Sequence, residues 1–534
     1  MSTRSLLALS LALTAASFSC SSISTDGSGT NNNTNTNNNN NTNNNTGEPK
    51  TLRTSVVILG GGVAGLSAAR RLAKGGLDDF LVFELEDHLG GNSRCQVYPE
   101  SAAPWAAHYL PVPTKESALV REILTEMGVL RGVRADGTPI YREEDLCHAP
   151  TERLFHMGTW QEGLFPKDGA NQKDLRQLEA FHKEVERWQN FRDRQGRKAF
   201  SIPLDLSSQD SVFAELDRIS VADWMAKMGW DSPALKFYIE YATRDDYGSA
   251  LHNTSAWAGL HYFASRDGGG FQPADAQLVW PEGNHRLVAH LLSTISDRCH
   301  TSHMVTQLEP QPKGVEVHLL DLQEQRTVRV QAQKVIWALP QFLRPYLWPQ
   351  SWDPAWNDSF VYSPWVVANL ALSSIPQELP GQRPGLCWDN VIFDSSSLGY
   401  VVATHQQLND HGPTEWTYYR PFAQGAPAEA RKTLLEASWS QWAEAVVADL
   451  SRAHPDLPGL VERLDVWRWG HAMVRPVVGL MRGGALEAAR RPLGRIHFAH
   501  TDLSGMALFE EAQHWGVAAA EAALKALGVR FESL

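Results

Sequence analysis

The residues with the clearest chemical meaning are glycines. Gly60-Gly61-Gly62-Val63-Ala64-Gly65 sets Gly60, Gly62 and Gly65 at GxGxxG spacing. In that spacing the first glycine permits a tight turn, the second lets backbone approach a pyrophosphate, and the third lets a helix close on a strand. Glu84 stands 24 positions after Gly60, where a carboxylate accepts hydrogen bonds from both ribose hydroxyls and repels a 2′-phosphate, arguing against NADP. A second glycine pair, Gly90-Gly91, comes six residues later. The chemistry implied is the binding of a nucleotide-bearing coenzyme.

These residues need a particular frame. Ser55-Val56-Val57-Ile58-Leu59 reads as a buried parallel strand, Leu66 to Ala73 has helix-forming composition, and Phe80-Leu81-Val82-Phe83 reads as the next strand, ending at Glu84. Val63 and Ala64 open that helix, whose N-terminal N–H groups favour phosphate. Far along the chain, residues 495–502 read as a strand ending in Asp502, and residues 508–520 as a closing helix.

The glycine turn, the ribose acid and the glycine pair together make the chain resemble the FAD-dependent amine oxidase superfamily, which includes protoporphyrinogen oxidases and phytoene desaturases. The resemblance implies an α/β fold: a Rossmann-like FAD-binding domain of the glutathione-reductase-like superfamily, with an inserted α+β substrate domain. It implies FAD rather than NAD, with Gly90 and Gly91 along the diphosphate and ribityl chain and Arg94 supporting the flavin end, although Asn92 stands directly after the pair where the family usually carries Arg. Asp502 takes the place of an acid that contacts the ribityl-diphosphate, and the Phe509 backbone faces the flavin N1–C2=O edge. His500 and Glu511 occupy places usually held by glycine. Val305, in the strand opened by His303-Met304, is the backbone-contact candidate near the adenine. Pro104 to Leu110, with His108, resembles the segment that passes the isoalloxazine, and Trp469 and His471 sit where aromatic residues reach the flavin face.

The resemblance covers residues 51–534 and divides them into an FAD domain of 51–135, 275–345 and 490–534 and a substrate domain of 136–274 and 346–489. Residues 110–270 read as mainly helical, with runs at 116–124 and 173–194. Residues 355–422 read as an aromatic-rich sheet, whose rings pack a core or line a substrate box. No Lys occurs between Lys334 and Lys432, whereas many amine oxidases keep one in the substrate lobe. The expected reaction is hydride transfer from a small organic substrate to noncovalent flavin, with O2 or a quinone as electron acceptor. The alternatives are a carotenoid- or porphyrinogen-type desaturase and a catalytically silent flavin-binding surface protein. No catalytic base is assigned; His108, His471 and His500 are candidates through the titration range of imidazole, and each also reads as a structural histidine.

Composition narrows the rest. In 534 residues, 48 Lys+Arg stand against 60 Asp+Glu, a formal charge of −12, so no basic footprint for nucleic acid exists. The cysteines form no metal-type spacing, and no metal centre is expected. Residues 1–20 read as a signal peptide of lipoprotein type, with Cys20 as the lipidation site, and residues 21–50 as an Asn/Thr-rich stalk. The expected location is exported: periplasmic, or tethered to a bacterial membrane only through that lipid.

Overall fold

The computed structural model describes residues 50–271, 273, 275–378 and 384–533. The signal segment, Cys20 and the Asn/Thr tract up to residue 49 lie outside the described residues.

The chain starts with β1 (Lys50–Leu59), turns through the glycines into α1 (Val63–Lys74), and returns in β2 (Phe80–Phe83). Val56 to Leu59 have no exposed surface, as expected of a parallel strand covered on both faces. Gly60 turns at φ +103°, and a Cβ on Gly65 would fall 1.9 Å from the Gly60 carbonyl oxygen, so side chains are excluded where the helix closes on the strand. The long α2 (Pro233–Tyr247) belongs to a helical cluster. It is followed by β3 (Arg326–Trp337), β4 (Val361–Leu372), β5 (Val461–Arg475), β6 (Ile496–Phe498) and the final α3 (Phe509–Ala526).

Two seven-stranded sheets result. In the first, β1 lies between β2 and β3, all parallel, with β6 parallel to β3 and the antiparallel pair Gly314–Asp321 and His303–Gln311 beyond. Leu59 faces both Phe83 and Trp337, and Trp337 faces Phe498, so the carboxyl ends of four strands form one row. The residues that follow each strand, Gly60, Glu84, Ala338 and Ala499, therefore converge on one edge, where open α/β sheets bind ligands. In the second sheet β4 lies between β5 and Thr414–Pro421, followed by Gly399–Val402, Asp389–Ile392, Glu152–His156 and Thr159–Glu162. α3 packs on α1 so closely that a Cβ on Gly516 would fall 2.2 Å from the Ala64 oxygen.

The helical reading of 110–270 holds for the runs Ala118–Glu126 and Gln172–Asn190 and on to Ala264, but not for residues 130–162. There Leu130–Val133 and Pro139–Tyr141 form a hairpin, and Glu152–His156 and Thr159–Glu162 join the second sheet. Leu154 and Trp160 are buried on that sheet, and such tertiary pairing decides short segments that local propensity leaves ambiguous. Among the described residues no helix is long and apolar enough to cross a membrane.

Candidate active site

One cavity of about 390 Å³ runs from the carboxyl edge of the first sheet to the face of the second. At its first end the wall is mostly backbone. Gly60, Gly62, Val63, Ala64, Glu84, Gly90 and Gly91 all lie on it, whereas Gly65 serves the helix–strand contact. Glu84 Oε2 accepts the Gly61 N–H at 2.7 Å, and Oε1 accepts the Glu86 N–H at 3.0 Å. Burial nevertheless pushes Glu84 above the usual carboxylate range, against those two backbone donors. Neither α1 nor α3 has a side-chain cap at its N-terminus, so the free N–H groups of two helices open near the same space. Asn284, also on the wall, keeps a buried Oδ1 with no donor.

The donor set fits a flavin–adenine dinucleotide. The carboxylate at the end of β2 suits ribose hydroxyls, the uncapped α1 suits a diphosphate, and the uncapped α3 suits a ring edge that gains negative charge on reduction.

The remaining sequence-predicted residues divide. His108, Trp469, His471, Asp502 and Phe509 lie on the wall. Arg94 and Val305 do not. Arg94 Nε donates to the Gly91 carbonyl at 2.9 Å, and its guanidinium lies between Trp105 (4.6 Å) and Trp469 (5.1 Å). It thus braces the glycine pair from behind, while Asn92 takes the wall position. Val305 is buried in its strand beside a register shift. Asp502, fully buried, spends its Oδ2 on the Gln341 N–H (2.7 Å) and the Tyr362 hydroxyl (2.6 Å). Burial pushes its carboxyl up, but His500, Tyr362 and Gln341 outweigh that and hold it below the usual range. Its oxygens tie the strand ends of the two sheets together. The His471 ring stacks on Phe342 at 4.1 Å. His500 adopts φ +111°, an uncommon conformation for a residue with a side chain, with Nδ1 3.2 Å from the Asp502 N–H.

His108 marks the passage to the second end. Its Nδ1 lies 3.3 Å from the Ala106 carbonyl, which only accepts, so the proton sits on Nδ1 and Nε2 keeps its lone pair. Burial lowers His108 to about 4, leaving the ring neutral at neutral pH. Beyond it a small chamber of about 40 Å³ holds Asp245, Asp389, Glu152, Tyr241 and Trp388. Tyr241 donates to Asp389 at 2.9 Å, and Tyr109 stands 3.3 Å from both Asp245 and Asp246. Asp246 is paired with Arg266. Burial, then the neighbouring Asp246, pushes Asp245 up; burial, then Asp245, pushes Asp389 well up; burial, then Asp275, takes Glu152 to about 7.

Sequence reasoning missed this acidic end. One signal was available: Asp245 and Asp246 occupy the last turn of α2, where the helix dipole disfavours negative charge. Carboxylates placed against a dipole and then buried point to a use other than stability. Asp389 and Glu152, on strands of the second sheet, gave no such signal.

Comparison with known proteins agrees with this architecture. The family described as NAD(P)-binding Rossmann-like domain matches residues 58–127. Polyamine oxidase 7 of Oryza sativa subsp. japonica is 41% identical over 59 residues, a stretch covering 10% of this chain and 12% of the rice protein. Polyamine oxidase 1 of Zea mays is 44% identical over 41 residues, 8% of each chain. The matched stretches thus span about an eighth of these relatives' length or less. Solved structures align over far more. Putrescine oxidase bound to putrescine gives a TM-score of 0.64 at 16% identity, covering 89% of this chain and 100% of that one. Cyclohexylamine oxidase from Brevibacterium oxydans gives 0.61 at 16%, covering 89% and 99%. A fatty acid isomerase from P. acnes gives 0.63 at 15%, covering 88% and 98%.

Proposed function

We propose that this chain, which has the fold of the FAD-dependent amine oxidase superfamily, is an FAD-dependent oxidoreductase acting on a small organic amine. The observation that carries the reading is the adjacency of two spaces: a wall suited to a dinucleotide shares His108, Tyr109, Asp245 and Tyr419 with an aromatic chamber whose three carboxylates form no salt bridge among the described residues. An apolar polyene placed there would leave three buried carboxyl groups facing hydrocarbon, whereas an ammonium group would favour and compensate their ionised form.

FAD, when bound, supplies the two-electron acceptor for the substrate's C–N unit. The chain's own residues do the positioning. Glu84, with its carboxylate held by two backbone donors, receives the ribose. Trp365, Tyr419 and Trp469 line the space between the two ends and exclude water. His108 offers the Nε2 lone pair to a donor entering the passage. Asp245 and Asp389, whose proton affinity burial raises, would be held ionised by the ammonium's charge and could then accept the proton it must lose before the nitrogen lone pair can take part.

The test uses the purified full-length protein. A yellow preparation whose visible band bleaches anaerobically with an amine, and returns with O2 or a quinone, supports the reading. A colourless protein that stays so after incubation with FAD overturns it. Bleaching by polyenes or tetrapyrroles alone supports the desaturase reading, and a yellow protein that nothing reduces supports a silent binding protein. Export and lipidation at Cys20 belong to the same proposal, and mass spectrometry of the mature N-terminus checks them.

A further inference from the structure

We propose that Glu510 takes up a proton from solvent when two electrons enter the main cavity, so that the charge on this side chain sets the potential of the coenzyme held there. The inference rests on the proposed binding of FAD in this cavity.

Glu510 lies in the first turn of α3, on the cavity wall, and is 5% exposed. Acids are common at helix starts when solvated; this one is enclosed and, among the described residues, pairs with no other side chain. Among the described residues the only donor to its carboxylate is its own backbone N–H. The charged groups that face it are Arg266, in the chain beyond the helix Ala256–Ala264, Asp246 on α2 and Glu511 on α3 itself. Each is committed elsewhere. Arg266 pairs with Asp246, and Glu511 accepts from the Leu204 N–H at 2.6 Å and from the Ser504 hydroxyl. His500 and Asp502, on the adjoining turn, engage one another. Burial takes Glu510 to about 7, so near neutral pH both of its charge states are accessible.

Added negative charge in the same low-dielectric space raises the proton affinity of this carboxylate. The balance is explicit. Two electrons from an external reductant go to the coenzyme, one solvent proton converts the Glu510 carboxylate to the carboxylic acid, and re-oxidation releases that proton. Above pH 7, where Glu510 is ionised in the oxidised protein, reduction carries one proton more than the coenzyme alone would require. Below that pH the side chain is neutral in both states and adds nothing.

The experiment measures the potential of the coenzyme-loaded full chain by spectroelectrochemistry from pH 6 to 9, with Glu510→Gln and Glu510→Asp beside it. Between pH 7 and 9 the reduction equilibrium of the unmodified protein should fall a further tenfold per pH unit relative to Glu510→Gln, which for two electrons is about 30 mV. Glu510→Asp should restore the additional slope. Should Glu510→Gln fail to hold coenzyme, a redox-induced infrared difference spectrum of the unmodified protein decides. A protonated-carboxyl band gained on reduction at pH 8 supports the proposal. Equal slopes in the unmodified protein and Glu510→Gln, or no such band, overturn it. A colourless protein overturns the FAD reading itself, and this inference with it.

Discussion

At the coenzyme end of the cavity the wall is mostly backbone, drawn from short segments that follow parallel strands and tied together by hydrogen bonds such as Gly61 N–H to Glu84 and Gly90 N–H to the Gly61 carbonyl. At the chamber end it is made of side chains from α2, from the loop with His108 and from strands of the second sheet. The first end tolerates little change in shape, because a Cβ has no room at Gly60 or Gly65. The second tolerates shape but depends on charge, because its three carboxylates form no salt bridge among the described residues and are raised by burial. On the proposed reading, such a site would grip a constant ligand by geometry and select a variable one by electrostatics.

Five measurements would break or sharpen that contrast. The largest effect is expected from Gly65→Leu, which drives a side chain into the Gly60 carbonyl. Overpacking of this kind costs about 3 kcal/mol, and the expected result is protein that is largely insoluble or, if recovered, colourless. Glu84→Ala should keep the fold and weaken FAD binding by on the order of 10- to 100-fold, read by titrating apoprotein and following flavin fluorescence; unchanged affinity would remove Glu84 from the ribose site. Asp389→Asn should leave FAD affinity alone and raise KM for a diamine by roughly tenfold, with little change for a monoamine of equal length. An equal loss for both substrates would contradict a charge-selecting chamber. In the unmodified protein the same KM should rise as pH falls through about 7, where Glu152 takes up its proton.

The smallest effect concerns stability, and its sign separates the two ends. Asp389 has a folded-state pKa raised above its unfolded value, so the folded chain binds its proton more tightly and stability is lost as pH rises from about 4 upward. Asp389→Asn should therefore gain about 1 kcal/mol at pH 8 and nothing at pH 4, measured by denaturant unfolding. A loss at pH 8 would mean that Asp389 serves packing rather than ligand attraction.

The difference between the ends also explains what the sequence alone could reveal. Gly60, Gly62, Glu84, Gly90 and Gly91 sit within 32 consecutive residues, and their roles follow from local turn and helix physics. Trp469 and His471 reach the wall because the resemblance placed their strand. Arg94, expected to support the flavin end, instead lies behind the glycine pair, since only the tertiary packing of Trp105 and Trp469 shows where a guanidinium can go. Asp502 reached the wall with its oxygens turned toward Tyr362 and Gln341, a connection across residues far apart in the chain. Asp245, Asp389 and Glu152 come from three separate segments, and no spacing rule joins them. The strands at 130–162 were missed for the same reason: their partners lie elsewhere in the chain.

The close seating of Gly516 against Ala64 has a consequence for biogenesis. The helix that follows the first strand completes its packing only against a helix made more than 400 residues later, and β6 is made just before that helix. During synthesis the nucleotide cradle therefore waits half-built, its apolar faces exposed to chaperones, while every later segment emerges. On the proposed reading, coenzyme loading would wait for the synthesis of α3, and chains cut short before it would lack the backing of α1.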